Sequence, residues 1–155
     1  MDVEAVIAEA QAGWQHMPGP ADPAALEGLT SGAPIPLPAE YLALLRLHDG
    51  GEGELGAEPG WFQLWPAADV LADNREFQLP EFLPGFFGFG SSCGGELLAL
   101  DCRGQLPWPV VMVPFIPLDA AEALPVTADF GGFVRLLGRV CPDAEPDAAA
   151  DGGGG

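Results

Sequence analysis

The chain has 155 residues, which is enough for one domain with a hydrophobic core, because a domain of about 150 residues buries roughly 70% of its unfolded surface. A hydrophobic content of 48%, with nine Phe and four Trp residues, excludes global disorder. The net charge of -18, with only five Lys and Arg residues, argues against a nucleic-acid ligand, because nucleic-acid binding depends on basic side chains.

The first predicted element is an amphipathic helix near the N-terminus. Asp2 is placed to cap it, since an aspartate side chain can accept a hydrogen bond from a free backbone N–H of the first turn. Apolar residues follow at helical spacing, at Val3, Val6, Ile7, Ala10 and Trp14. Five prolines between residues 17 and 36 then predict an irregular connector with one or two helical turns at 24–29.

A second helix is predicted after the connector. Pro38 suits its first turn, because proline lacks the N–H that a first turn leaves unpaired. Its expected buried face consists of Tyr41, Leu44, Leu45 and Leu47. Asp49-Gly50-Gly51 ends the helix.

An acidic segment follows at residues 50–60. It is rich in glycine and carries three acidic side chains, Glu52, Glu54 and Glu58. This composition predicts a mobile loop or a short exposed hairpin.

A tryptophan-rich strand is predicted at residues 61–65. Alternation places Trp61 and Trp65 on the same face, where they are either exposed binding residues or part of a small core. A brief helix is expected at 67–74, and its open side carries two further acids, Asp69 and Asp73.

A hairpin is predicted at residues 86–101. An aromatic run, a glycine-rich turn and an aliphatic run follow one another there, and Gly94-Gly95 can supply the positive φ angles of a tight turn. The strands are expected at 83–89 and 97–101, with a further strand at 110–115.

The C-terminal part predicts a last helix and a tail. Asp129 is a good N-cap for a helix whose buried face consists of Phe130, Phe133, Val134, Leu136 and Leu137. Residues 142–155 are acidic and rich in Ala and Gly, which predicts disorder. The domain is therefore expected to span residues 1–141, including the N-terminal helix and the proline-rich connector.

Three motifs stand in order along the chain. They are Leu-Pro-x-x-Tyr-x-x-Leu-Leu with a following Asp-Gly-Gly within 37–51, Gly-Gly-Glu-x-x-x-Leu-Asp at 94–101, and Asp-Phe-x-x-Phe-Val at 129–134. Together they resemble the SMI1/KNR4 (SUKH) superfamily over roughly residues 26–140. The resemblance implies a single α+β domain, with an antiparallel sheet of about four to six strands and helices packed on one face. The proline-rich stretch before Leu37 and the insertion at 107–109 depart from the family pattern.

Many bacterial members of this superfamily look like immunity proteins, which bind and neutralise a polymorphic toxin. The resemblance therefore implies a non-enzymatic protein-binding function, with a basic protein, such as a nuclease toxin, as the partner. A regulatory scaffold module that binds an endogenous protein is the alternative. The negative charge would attract a cationic partner, although an acidic surface also serves solubility.

The predicted partner-binding residues combine acidic side chains with tryptophans, which are enriched in binding hot spots. They are Glu52, Glu54, Glu58, Trp61, Trp65, Asp69, Asp73 and Glu76.

Catalysis is not expected. Cys93 would need a base to form a thiolate, and nothing in the sequence brings His16 or His48 beside it. The chain has no lysine for a phosphate-binding loop, no calcium-loop motif, and only two histidines, which are far apart in sequence. No cofactor and no metal are therefore predicted.

The sequence also predicts a cytoplasmic location without membrane contact. Acidic residues follow Met1, where a signal peptide needs cations. Four prolines interrupt the longest apolar stretch, at 106–118, so no membrane helix is expected. Cys93, Cys102 and Cys141 show no Cys-x-x-Cys spacing, which fits reduced thiols.

Overall fold

Seven antiparallel strands form one sheet in the computed structural model, which describes residues 1–142. Strands that are neighbours in the sheet follow one another in the chain. The strands are β1 (Trp14–His16), β2 (Gly51–Glu54), β3 (Trp61–Leu64), β4 (Phe86–Ser91), β5 (Glu96–Asp101), β6 (Val110–Pro114) and β7 (Leu124–Thr127). The α+β class with one antiparallel sheet is confirmed, but the prediction of four to six strands was wrong.

Six α-helices accompany the sheet within the described residues. They are α1 (Val3–Glu9), α2 (Pro23–Gly32), α3 (Ala39–Leu47), α4 (Val70–Glu76), α5 (Leu79–Phe82) and α6 (Phe130–Val134). Helices α1, α3 and α6 contact one another, whereas α4 contacts α2, α5 and β4. The predicted disordered tail lies outside the described residues from residue 143 onward.

The two strands that the sequence did not predict are the edges of the sheet. The Asp2 cap is confirmed, since its carboxylate accepts from Ala5 N at 3.1 Å, but α1 ends at Glu9 and Trp14 begins β1 opposite Gly53. At the other edge, β7 contains Pro125, which is tolerated there because an edge strand has one side without a partner.

The β4–β5 hairpin forms the centre of the sheet, as predicted. All six residues of β4 are buried. In the turn, the positive φ angles occur at Cys93 (62°) and Gly95 (108°), so the prediction that Gly94 would supply one was wrong. The Ser92 hydroxyl accepts from Gly94 N at 2.9 Å and from Glu96 N at 3.2 Å, which closes the turn.

Aromatic packing joins the sheet to its helices. The ring of Phe89 lies 5.9 Å from that of Tyr41, 5.2 Å from Phe130 and 5.3 Å from Phe133, measured between centroids. The predicted N-cap Asp129 is confirmed, since its carboxylate accepts from Gly132 N at 2.8 Å. The two predicted helices, α3 and α6, therefore both pack on Phe89 of the predicted hairpin.

Candidate functional site

A cleft of about 370 Å³ lies beside the β2–β3 hairpin and the start of α4. Its titratable and amide side chains are those of His16, Asp49, Glu52, Gln63, Asp69 and Asp73. Trp65 and Pro66 add an apolar wall. We call this set of residues the acidic cleft, because four carboxylates face one space and no arginine is among its described lining residues.

The β2–β3 hairpin points acidic and aromatic side chains to one side. Across the hairpin, Glu52 is opposite Gln63 and Glu54 is opposite Trp61. Because side chains alternate along a strand, these four share a face, and the buried residues of both strands take the other face. The Trp61 indole N–H donates to Glu52 Oε2 at 3.2 Å, which orients that carboxylate.

Helix α4 carries two acids into the same cleft. Asp69 is its N-cap residue and Asp73 follows one turn later, so both lie on one side of the helix. Another side is anchored by Asn74, whose amide N–H groups donate to Val70 O at 2.8 Å and to Gly88 O at 2.9 Å. The Asn74 carbonyl accepts from Gly88 N at 2.9 Å. This side chain ties the acid-bearing helix to β4.

Asp49 completes the cleft from the segment after α3. Its Oδ1 accepts from Ala67 N at 2.7 Å, which joins this segment to the one that leads into α4. The charge of Asp49 also acts on the protein interior: burial raises the pKa of the Tyr41 hydroxyl, and repulsion by Asp49 raises it further.

Asp73 is the cleft carboxylate whose ionisation is disfavoured by its surroundings. Partial burial raises the pKa of Asp73, and the charges of Asp69 and Glu76 add to that increase. Ionising Asp73 in the folded protein is therefore harder than in the unfolded chain. A cation in the cleft would relieve this repulsion.

Comparison with known protein families identifies the family of this chain. The family model described as SMI1 / KNR4 family (SUKH-1) matches residues 20–136. The chain belongs to this family. The match begins in the proline-rich connector before α2 and ends just after α6, so it spans β2 to β7 and leaves α1 and β1 outside. A search of curated proteins found no match to the chain. Membership in the SUKH-1 family is compatible with a non-enzymatic, immunity-type binding function.

Four of the eight predicted partner-binding residues line the acidic cleft of this SUKH-1 domain: Glu52, Trp65, Asp69 and Asp73. Trp61 donates a hydrogen bond to Glu52, and Glu54 lies on the same face of the β2–β3 hairpin as these two residues. Glu76 is close enough to affect the pKa of Asp73. Glu58 is exposed in the turn between β2 and β3, outside the cleft lining.

Of the two alternatives left open for Trp65, the structure supports a place in the core and not an exposed binding residue. The residue is only 8% exposed, and its ring stacks on that of Phe77 at a centroid distance of 5.8 Å. Strand β3 ends at Leu64, and Trp65 N donates to Phe89 O, so strand alternation does not determine where this ring points. Trp61 is half-buried, as expected for a residue on the open face of the hairpin.

Sequence reasoning missed three polar residues of the cleft: His16, Asp49 and Gln63. Asp49 was interpreted only as part of a helix stop, and His16 lies on the unpredicted strand β1. The position of Gln63 could have been predicted from the local sequence. It alternates with Phe62 and Leu64 along the strand, so it shares a face with Trp61.

Cys93 and His48 were the residues of the catalytic alternative whose surroundings the structure describes in most detail. Partial burial raises the pKa of the Cys93 thiol, and the charge of Glu52 raises it further, which disfavours the reactive thiolate. His48 Nδ1 lies 2.7 Å from Pro18 O. Among residues 1–142, no group of three or more His, Cys, Asp or Glu side chains is arranged to hold a metal ion. The described helices are all too short or too polar to cross a membrane.

Asp73→Asn is expected to stabilise the fold more at about pH 7 than at about pH 3. The folded pKa of Asp73 is raised, so the stability that the protonated form contributes is present at low pH and is lost as pH rises through that pKa. Asparagine cannot ionise and escapes this loss. Thermal unfolding of both proteins across this pH range measures the difference.

The control is Glu122→Gln, which removes one charge from an exposed side chain outside the cleft. It corrects for the general repulsion within a chain of net charge -18. An equal gain from both variants would show that Asp73 is not specially destabilised by its surroundings.

Proposed function

We propose that this SUKH-1 domain is a non-enzymatic immunity protein that neutralises a cognate toxin by binding the basic surface of that toxin. The observation that supports this proposal is the acidic cleft, in which carboxylates from the segment between α3 and β2, from β2 and from α4 line one space, with His16 but no arginine or lysine among the described lining residues. A nuclease toxin must bind phosphate, so its active site carries the positive charge that such a cleft would attract.

The cleft has the features of a prepared contact surface for cations. Asn74 and Asp49 hold its two sides in place through hydrogen bonds of 2.7–2.9 Å. Trp61 adds a half-buried ring next to Glu52, and rings of this kind contribute strongly to binding when a partner excludes water from them. The raised pKa of Asp73 means that binding a Lys or Arg side chain would recover free energy lost on folding.

The alternative function is a scaffold module that binds an endogenous protein. The acidic cleft alone does not separate the two functions, because either partner can be cationic. Neutralisation does separate them: an immunity protein restores growth to cells that express the toxin, whereas a scaffold partner has no toxicity to suppress.

The first experiment is affinity capture from the native cell at low salt, followed by mass spectrometry of the proteins that elute as the salt concentration rises. We expect a basic protein in a one-to-one complex, which is toxic when expressed alone and harmless when co-expressed with this chain. An acidic partner would contradict the proposal. A basic but non-toxic partner would support the scaffold function.

The second experiment removes the charges of the cleft. The triple variant Glu52→Gln, Asp69→Asn, Asp73→Asn is expected to weaken binding of the captured partner at least about tenfold and to flatten its salt dependence. The matched control is Glu27→Gln, Glu81→Gln, Glu122→Gln, whose three side chains are exposed and lie outside the cleft. Both variants have the same net charge, so only a local role of the cleft predicts a difference between them. Equal affinities of the two variants for the partner would show that the partner binds outside the acidic cleft.

A further inference from the structure

A second groove lies between the start of α3 and the loop that joins β5 to β6, and it shares no lining residue with the acidic cleft. Its volume is about 390 Å³. Apolar side chains form most of its walls, chiefly Leu37, Pro38, Leu106, Pro107, Trp108 and Phe130. We call this set of residues the proline groove. Pro36 belongs to the proline-rich stretch and Pro107 and Trp108 belong to the insertion, whereas Leu37, Pro38, Asp129 and Phe130 belong to the family motifs. The groove therefore combines family motifs with the two segments that depart from the family pattern.

The groove offers apolar surface that the fold leaves uncovered. Leu106 is 64% exposed, although burying a leucine side chain is worth about 1.5–3 kcal/mol. Trp108 is half-buried beside it, and its indole N–H donates to Gly104 O at 2.9 Å. The indole donor is therefore already used within the loop. The ring can give a ligand apolar contact but no hydrogen bond, which favours an apolar side chain over an extended peptide backbone as its occupant.

Two carboxylates line the same groove. Glu40 belongs to the first turn of α3, and Asp129 caps α6 through one of its oxygens. No arginine is among the lining residues in the described part of the chain. An apolar occupant that carries a positive charge at its edge is therefore complementary, whereas one with a negative charge is repelled.

We propose that the proline groove binds a protein segment in which a large apolar side chain stands next to a Lys or Arg residue. The apolar side chain packs on Leu106 and Trp108, and the cation pairs with Glu40 or Asp129. The volume is near the lower end of the range of about 300–1,000 Å³ for ligand pockets, which suits one or two side chains. This site goes beyond the proposed function of the acidic cleft and does not depend on it.

The test uses the full-length protein and four sets of short synthetic peptides in a Gly/Ser background. The sets carry Leu or Phe next to Arg, the same residues next to Glu, Ala next to Arg, or a Pro-x-x-Pro sequence without charge. We expect selective binding of the first set. Leu106→Ser should weaken that binding about tenfold or more, and Glu40→Gln should weaken it by a few-fold.

Two controls make the test specific. Leu124→Ser changes another exposed leucine, which is 53% exposed and outside the groove, and should leave peptide binding unchanged. The acidic-cleft triple variant should also keep peptide binding, so failure of the cleft proposal and failure of this one give different results. Thermal unfolding shows that each variant is folded.

Several results would overturn the inference. They are unchanged binding by Leu106→Ser, preference for the Glu or Pro-x-x-Pro set, no binding of any set, and loss of binding in the acidic-cleft variant. Self-association that disappears in Leu106→Ser would assign the groove to a second copy of this chain instead.

Discussion

Replacing Asn74 with alanine is expected to lower the free energy of unfolding by about 2–6 kcal/mol. The side chain makes three buried hydrogen bonds, two of them to the N–H and C=O groups of Gly88. Strand β3 pairs with β4 only at Gly90 and Ser91, so Asn74 takes the place of a neighbouring strand at Gly88. Alanine would leave both main-chain groups of Gly88 buried without a partner, each at a cost of about 1–3 kcal/mol.

Chemical denaturation of the variant measures this loss, and Arg75→Ala is the matched control. Arg75 is the next residue of α4 but is exposed, so its replacement should change the stability by no more than about 0.5 kcal/mol. Asn74→Asp adds a second test. Its carboxylate would face two carbonyl oxygens, so this variant should regain stability as the pH falls and the carboxyl becomes protonated. A loss below about 1 kcal/mol for Asn74→Ala would show that the Gly88 groups find other partners.

Local signals in the sequence were sufficient to predict the elements at the centre of the fold. Pro38 at the start of α3, Asp129 at the start of α6 and the glycine-rich turn before Glu96 each act within a few residues of the element that they define. The family match, over residues 20–136, covers the same three elements. Predictions that rest on such short-range chemistry were confirmed apart from element ends and the exact turn residues.

The edges of the sheet could not be predicted in this way. Trp14 stands at helical spacing after Val3 and Ile7, yet it pairs with Gly53, which is distant in sequence. A strand of three residues has too little pattern to identify it, and Pro125 in β7 reads as a strand breaker until the strand is known to be an edge. Both strands exist because a neighbouring strand is available to pair with them.

The acidic cleft was also predictable only in part. Composition and alternation were enough to select Glu52, Asp69 and Asp73, because acids on the open sides of a hairpin and a helix tend to be exposed. Whether they converge depends on the hydrogen bonds of Asn74 with Gly88 and of Asp49 with Ala67, which join segments distant in sequence. Convergence of this kind has no signature in a single sequence.

Gly138→Ala is expected to destabilise the fold by about 2–5 kcal/mol. Gly138 has a φ angle of 84°, which is unfavourable for any residue with a Cβ atom. The added Cβ would collide with the carbonyl oxygen of Ala10 and would lie 3.0 Å from Cδ1 of Trp14. The main chain cannot easily move away, because Gly138 N donates to Glu54 O at 2.7 Å and so fixes the segment to β2.

The control is Gly28→Ala, in the interior of α2, where an added Cβ meets no atom within 4 Å. This variant should gain about 0.5–1 kcal/mol, because alanine favours the helix over glycine. The contrast between the two variants, measured by denaturation, isolates the cost of the crowded site from the general effect of replacing glycine.

The Gly138 variant also tests where the domain ends. Gly138, α1 and β1 all lie outside the family match at residues 20–136, yet Gly138 contacts Ala10 and Trp14 and is bonded to β2, which carries Glu52. If these flanking segments were mere additions to the family fold, Gly138→Ala would loosen them and leave the main unfolding transition in place. A single transition shifted to lower denaturant would instead show that they fold as one cooperative unit with the sheet, because a local defect lowers global stability only when its surroundings unfold together.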